Sequence, residues 1–482
     1  MCSGCILENN FFIVLQGDCS MDRLLDTVSL INEYLSDYVL IILLVGSGIF
    51  FSVKTRFVQV RCFGEGLLNA FGNFSVRGGA RKAGLSPFQA LSAAVAAQVG
   101  TGNIVGASGA ILIGGPGAIF WMWLVAFFGM ATVYAEAVLA IKTRVTDSDG
   151  TLHGGPVYYI KHAFPNVFGK VLAVFFALAT IGALGFMGTM VQANSIGETC
   201  STAWGIPAWS VGIVIAVLGG IVFIGGVSRL ASVTEKIVPA MALLYLAGGF
   251  FVLLSRVIYL PETFFLIFKY AFEPQALIGG GVGYALKTAV SQGVKRGLFS
   301  NEAGMGSTPH AHAMAQTSPH EQGTVAMIGV FLDTAVVLTM TALIIISTIY
   351  TGDGPLANVT GRNYHEVLLN AGLTQTNLVQ YAVSSVSSVF LGNNFVAVCL
   401  LFFAFSTILS WNFFGKINFH YLFGKKAVVW YSILAVCCIF LGTTVKSSLV
   451  WSLQDMFNQL MVLPNVIALF TLSKMVVASD RK

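Results

Sequence analysis

The segment Gln98-Val99-Gly100-Thr101-Gly102-Asn103 interrupts an apolar run from about Phe88 to Ile113 that is otherwise long enough to cross a bilayer. Two glycines around a threonine, with amide side chains on both flanks, suit a helix that opens at mid-membrane. An opened helix exposes backbone N–H and C=O groups, which hydrocarbon tolerates only where they face protein or a wet cavity. The amides at Gly100, Thr101 and Gly102 would form the positive end of a half-helix, and a carboxylate binds there without a buried arginine. Thr101 adds a hydroxyl, and Asn103 can satisfy neighbouring carbonyls. The plainer alternative is a glycine-rich surface for close helix packing.

A second irregular segment, 297–307, reads GLFSNEAGMGS, and its Asn301 and Glu302 would be unpaired in lipid if the helix were continuous. Gln192 and Asn194 follow the small and aromatic stretch Gly185-Phe186-Met187-Gly188-Thr189. A side-chain amide can accept from an ammonium and donate to a carboxylate. Its bland role is an interhelical hydrogen bond of about 0.6 kcal/mol. Phe186 could wall a pocket or simply pack. Ser406 and Thr407, with Trp411 one turn on, place adjacent hydroxyls in an apolar helix. Such hydroxyls suit a small hard cation, or they bond back to the preceding turn.

Three carboxylates fall inside apolar segments. Glu302 can accept the amides of the second break, Asp333 sits one to two turns into its helix, and Glu136 is close enough to Lys142 to reach the inner surface. Any of them could carry a proton, although structural pairing is the commoner fate. His310 and His312 are two apart and off a common helical face, which argues against a metal pair. Cys2 and Cys5 form a C-x-x-C with no second pair to complete a site. No Ser-His-Asp or H-E-x-x-H arrangement suggests a hydrolase.

These residues need elements to hold them, and the composition says what kind. Of 482 residues, 56% are hydrophobic and 10% charged, with mean hydropathy +0.80. Soluble domains carry roughly 25% charge, so this chain is built for lipid. The formal charge of +5 includes no long basic run, which sets nucleic acid aside. Met1–Ser20 lacks a basic start and a cleavage pattern, and Met21 opens a more plausible segment.

The hydropathy pattern predicts an all-α polytopic membrane protein of about eleven spans, the second and seventh broken. Residues 1–36 read as an N-terminal extension, 37–476 as one transmembrane transporter domain and 477–482 as a cytoplasmic tail. Eighteen of 26 lysines and arginines fall on one set of connecting segments. That excess predicts the N-terminus outside and the C-terminus inside. Five spans from the second to the sixth and five from the seventh to the eleventh form two blocks, about 84–256 and 276–473, each opening with a break. Because five is odd, the second block inserts upside down, which predicts an inverted repeat with one helix ahead of it.

The runs AAQVGTGNIVGASGAILIGGPGAIFWMW, YAEAVLAIKTR, GGPVYYI, VQANSI and GVKRGLFSNEAGMGSTPHAHA resemble the alanine-or-glycine:cation symporters, also called the sodium:alanine symporter family. The resemblance runs from about Arg77 to Lys474. It implies the leucine-transporter fold, with an extra helix ahead of a 5+5 inverted repeat. It also implies sodium-driven import of L-alanine or glycine across a cell membrane by alternating access, with no enzymatic step. Alternatives are a proton-coupled carrier and the same symport with glutamine. The partners implied are the amino acid, a co-transported sodium ion and membrane lipid, with no obligate protein partner.

By motif, the resemblance puts Gly100, Thr101 and Gly102 on the substrate carboxylate. It lines the pocket with Gln192, Phe186, Asn301, Gly304, Thr407 and Trp411. Sodium would take the carbonyls of Ala96 and Val99 and the hydroxyls of Ser406 and Thr407. The cysteine-bearing start and Lys295, where a small residue is usual, depart from the family pattern.

Overall fold

The computed structural model describes residues 25–72, 84–146, 152–224, 226–273, 282–357, 359, 367, 370–445 and 447–480. Most of the predicted N-terminal extension, its Cys2–Cys5 pair and the last two residues of the tail lie outside them.

The described chain is helical except for connecting loops and a two-residue antiparallel ladder, Val145–Thr146 on Leu152–His153. In chain order the elements are α1 (Leu25–Lys54), α2 (Phe63–Phe71), α3 (Pro87–Gln98), α4 (Gly102–Gly114), α5 (Ala118–Thr143) and α6 (Pro156–Ala163). They continue with α7 (Val167–Trp204), α8 (Ala208–Ile224), α9 (Gly226–Ser255), α10 (Leu260–Phe272) and α11 (Val282–Asn301). The last are α12 (Pro319–Tyr350), α13 (Leu378–Val386), α14 (Val389–Phe423), α15 (Lys425–Gly442), α16 (Ser447–Thr471) and α17 (Ser473–Asp480).

Seven helices among the described residues have the length and apolarity to cross a membrane, or nine when each of two bent pairs counts as one span. The bent pairs are α3 with α4, at 46°, and α16 with α17, at 63°. Two positions that the hydropathy reading also counted as spans differ in kind. The apolar α8 is only 17 residues long, and α11 carries Lys287, Lys295 and Arg296. Short helices α2, α6, α10 and α13 occupy connections that the sequence reading left without structure.

Local chemistry explains where the site-bearing helices start. Pro87 opens α3 behind a reciprocal cap, in which Ser86 takes the Gln89 N–H and the Gln89 side chain takes the Ser86 N–H. Pro319 opens α12 behind the same device, built from Ser318 and Glu321. Such caps satisfy end N–H groups that the helix itself leaves unpaired. Glu136 does not reach toward the surface as its spacing from Lys142 allowed. Its side chain is fully buried on α5 and accepts from Asn465 Nδ2 of α16 at 2.6 Å.

Candidate functional site

At the first interruption α3 stops at Gln98, Val99 and Gly100 leave the helical path, and α4 begins at Gly102. Thr101 and Asn103 are fully buried there. The amides that a carboxylate could use are held by side chains in this conformation. Gly100 N–H donates to Asn103 Oδ1 at 3.0 Å, and Thr101 N–H donates to Gln192 Oε1 of α7 at 3.1 Å. Two donors beside them have no partner, the Thr101 hydroxyl and Gln192 Nε2. A buried polar group without a partner costs about 1–3 kcal/mol, so a ligand bearing acceptors would be held by an existing debt of hydrogen bonds. Position 100 has no room for a side chain. A Cβ there would strike Thr407 Oγ1 and stand 3.1 Å from Gln192 Oε1.

Thr407 faces the broken end from α14. Its hydroxyl lies 2.9 Å from the Ala96 carbonyl oxygen, 3.4 Å from that of Val99 and 3.1 Å from that of Phe403. Ser406 Oγ, on the same turn, donates to the Phe403 carbonyl at 2.9 Å and approaches Met241 Sδ at 3.5 Å. Three carbonyls thus meet at the Thr407 hydroxyl, and the Ser406 hydroxyl shares one of them, with no charged group among these partners. Phe403 was missed in the sequence reading. Its signal was positional, since the turn that carries Ser406 and Thr407 must place its i−3 and i−4 carbonyl beside them.

The second interruption follows α11. Asn301 ends the helix, and Glu302 takes a left-handed conformation (φ 58°) uncommon outside glycine and asparagine. Gly304 and Gly306 follow at φ 86° and 83°, conformations that cost glycine nothing. The buried Glu302 carboxylate accepts from the Trp411 indole N–H and the Ser307 hydroxyl. Asn301 Oδ1 takes the Ala303 N–H at 3.0 Å, and its Nδ2 approaches Thr334 Oγ1 at 3.3 Å. The Gly304 carbonyl accepts from Asn465 Nδ2 at 2.9 Å, and Asn465 also accepts from the Tyr159 hydroxyl.

The two interruptions meet through side chains. Gln98 Nε2 donates to the Asn301 carbonyl at 2.8 Å. Asp333 on α12 accepts from Asn103 at 2.7 Å, from Ser300 at 2.8 Å and from the neighbouring Thr334 at 2.9 Å. One carboxylate therefore ties the first break, the end of α11 and its own helix together. Gly102 packs so closely on this junction that a Cβ would lie 3.0 Å from Ser300 Cα.

The expected site residues thus divide. Ala96, Val99, Gly100, Thr101, Gln192 and Thr407 form one cluster. Ser406 joins it through the Phe403 carbonyl. Trp411 and Asn301 belong to the second interruption, where Trp411 is 1% exposed and also meets Phe299 edge-on at 5.8 Å. Gly304 turns its carbonyl to Asn465. Phe186 is half-buried against Tyr431 at 5.7 Å. Asn194 braces α7 by donating to the Gly442 carbonyl at 3.1 Å, the plain interhelical role weighed for it. His310 and His312 are held apart, by Asn418 and by Gln322 respectively.

Against known proteins, residues 21–482 match the model of the sodium:alanine symporter family. The chain belongs to that family. The sodium/alanine symporter AgcS of Methanococcus maripaludis is 39% identical over 94% of this chain and 96% of its own length. Two Bacillus subtilis relatives, 38% and 37% identical, each align over 93% of this chain and over 90% and 88% of their own length. They bear the provisional names of a sodium/proton-dependent alanine carrier and a sodium/glutamine symporter. Among solved structures, MhsT in complex with L-phenylalanine superposes with a TM-score of 0.59 at 14% identity, over 83% of this chain and 93% of its own. That likeness establishes the leucine-transporter fold. The protein is an amino-acid symporter of the membrane and not an enzyme.

Proposed function

We propose that the chain imports a small neutral amino acid, L-alanine or glycine, driven by sodium bound between α3 and α14. The convergence of oxygens on Thr407 carries this reading. The Ala96, Val99 and Phe403 carbonyls and the Ser406 and Thr407 hydroxyls offer hard, uncharged donors, which suit a hard cation of low charge. Sodium at that point would draw the broken end of α3 onto α14. The amino acid would sit next to it, its carboxylate taking the Thr101 hydroxyl and Gln192 Nε2 and displacing Gln192 Oε1 from the Thr101 N–H. Each ligand then improves the site for the other, and differential affinity of this kind is what coupling requires. The proposed orientation keeps the N-terminus outside and the C-terminus in the cytoplasm.

Proton coupling is the second reading, favoured by the burial of Glu302 and Asp333 beside the breaks and by the name of one relative. Uptake of labelled alanine, glycine and glutamine by the purified protein in vesicles, at fixed pH with and without a sodium gradient, separates the two. Sodium-dependent accumulation of alanine or glycine supports the proposal. Accumulation that ignores sodium contradicts it.

A further inference from the structure

Cys62, Glu65 and His320 lie apart from both interruptions. Cys62 stands at the start of α2 with Glu65 in its first turn, and His320 is in the first turn of α12. The Cys62 sulfur, a Glu65 carboxylate oxygen and a His320 ring nitrogen all fall within 4.8 Å of one another. His320 Nε2 is 3.2 Å from Glu65 Oε1. The other ring nitrogen, Nδ1, is 2.7 Å from the buried Tyr134 hydroxyl of α5. Metal-binding imidazoles are oriented from behind in this way.

We propose that these three side chains bind one divalent cation of the zinc class, which staples α2 to α12. A thiolate, an imidazole and a carboxylate are each zinc ligands, and water can complete the tetrahedron as it does in sites with three protein ligands. Sulfur in the set disfavours magnesium and calcium. With bonds of about 2.0–2.3 Å, ligand atoms around zinc sit roughly 3.3–3.8 Å apart. The His320–Glu65 separation of 3.2 Å lies just under that spacing and the whole set spans no more than 4.8 Å, so small side-chain rotations close it. Burial grades across the site: Cys62 is 5% exposed, whereas the His320 and Glu65 side chains are 21% and 46% exposed. The sulfur is the closed end, and the carboxylate side admits the ion and its water.

The two helices are already in register for a staple. Asn69 Nδ2 donates to Thr324 Oγ1 at 3.0 Å, and Phe63 meets Phe331 edge-on at 4.9 Å. At its far end α2 touches the first turn of α3 through Phe71 and Phe88, 6.4 Å apart. A bound ion would therefore restrain the helix that leads to the first interruption. The site itself does not depend on which cargo the protein carries. An ordinary His320–Glu65 ion pair is the competing account, and it predicts no dependence of zinc binding on the thiol.

That difference defines the test. Zinc is titrated against a chromophoric chelator into the full chain carrying Cys2→Ser, Cys5→Ser and Cys19→Ser. One equivalent is expected, lost in Cys62→Ser and weakened by more than about tenfold in Glu65→Gln. In protein that keeps Cys62, zinc should slow its alkylation by a maleimide, and His320→Gln should abolish that protection. This second measurement stands even if Cys62→Ser fails to fold. Unchanged stoichiometry in Cys62→Ser, or alkylation at the same rate with and without zinc, overturns the proposal.

Discussion

At the first interruption the backbone opens among small, uncharged residues, and at the second it opens around a carboxylate. The Gly100 and Thr101 N–H groups are closed by the side-chain carbonyls of Asn103 and Gln192, and the Thr101 hydroxyl and Gln192 Nε2 beside them stay unpartnered. Glu302 draws in Trp411 and Ser307, and Asn465 fastens the Gly304 carbonyl. A segment with hydrogen bonds left to make can exchange them with a ligand. A segment whose donors and acceptors are largely matched holds its shape, here including a residue in the left-handed region. The first break is therefore suited to bind, and the second to serve as the wall against which binding is registered. Asp333, bonded to Asn103 and Ser300 together, makes a movement of one a strain on the other.

Removing the wall should do the most damage. Glu302→Ala leaves the Trp411 N–H and the Ser307 hydroxyl without their acceptor, at about 1–3 kcal/mol for each buried donor. Uptake should vanish and the melting temperature in detergent should fall. Glu302→Gln, which keeps one acceptor, should lose less of both. An alanine variant that melts like the parent would show that the second break is not the rigid one.

Gly100→Ala ranks next. Its Cβ collides with Thr407 and Gln192, and overpacking of this kind costs about 1–3 kcal/mol. Uptake should drop by about five- to a hundredfold, since 1.4 kcal/mol is a factor of ten. Undiminished uptake would mean that the first break has slack where the structure shows none.

Thr407→Val removes the hydroxyl that meets three carbonyls. Stability should change by only about 1 kcal/mol, while the sodium concentration for half-maximal uptake rises about tenfold. The smallest effect belongs to Thr101→Val, because that hydroxyl has no partner to lose. Its melting temperature should stay level or rise, because an isosteric methyl relieves an unsatisfied buried hydroxyl, and its affinity for alanine should fall a few-fold in a binding assay. Equal affinity would remove the hydroxyl from the substrate site.

Much of this contrast was legible in the residues. Gly-Thr-Gly within an apolar run announced the first break, and Glu302 among glycines announced the second, because hydrocarbon penalises open backbone and unpaired charge alike. What the residues could not give was partnership across the chain. Asp333 read as an acid one to two turns into its helix, yet it lies about four turns into α12 and joins groups from two other segments. Asn465 drew no notice in the sequence, although it links Glu136, Tyr159 and Gly304. Phe403 contributes a carbonyl, which every residue has, so its identity carries no signal. Ser406 and Thr407 looked equivalent by type, and only helix rotation decides that Thr407 reaches Ala96 and Val99 directly.

The coupling of sodium to substrate at the first break is tested most directly by equilibrium binding of labelled L-alanine to purified protein over a range of sodium concentrations, for wild type and Thr407→Val. The expected result is alanine affinity that rises with sodium, and a variant that needs about ten times more sodium for the same gain. Alanine binding indifferent to sodium, or a Thr407→Val curve that overlays the wild type, would contradict the account.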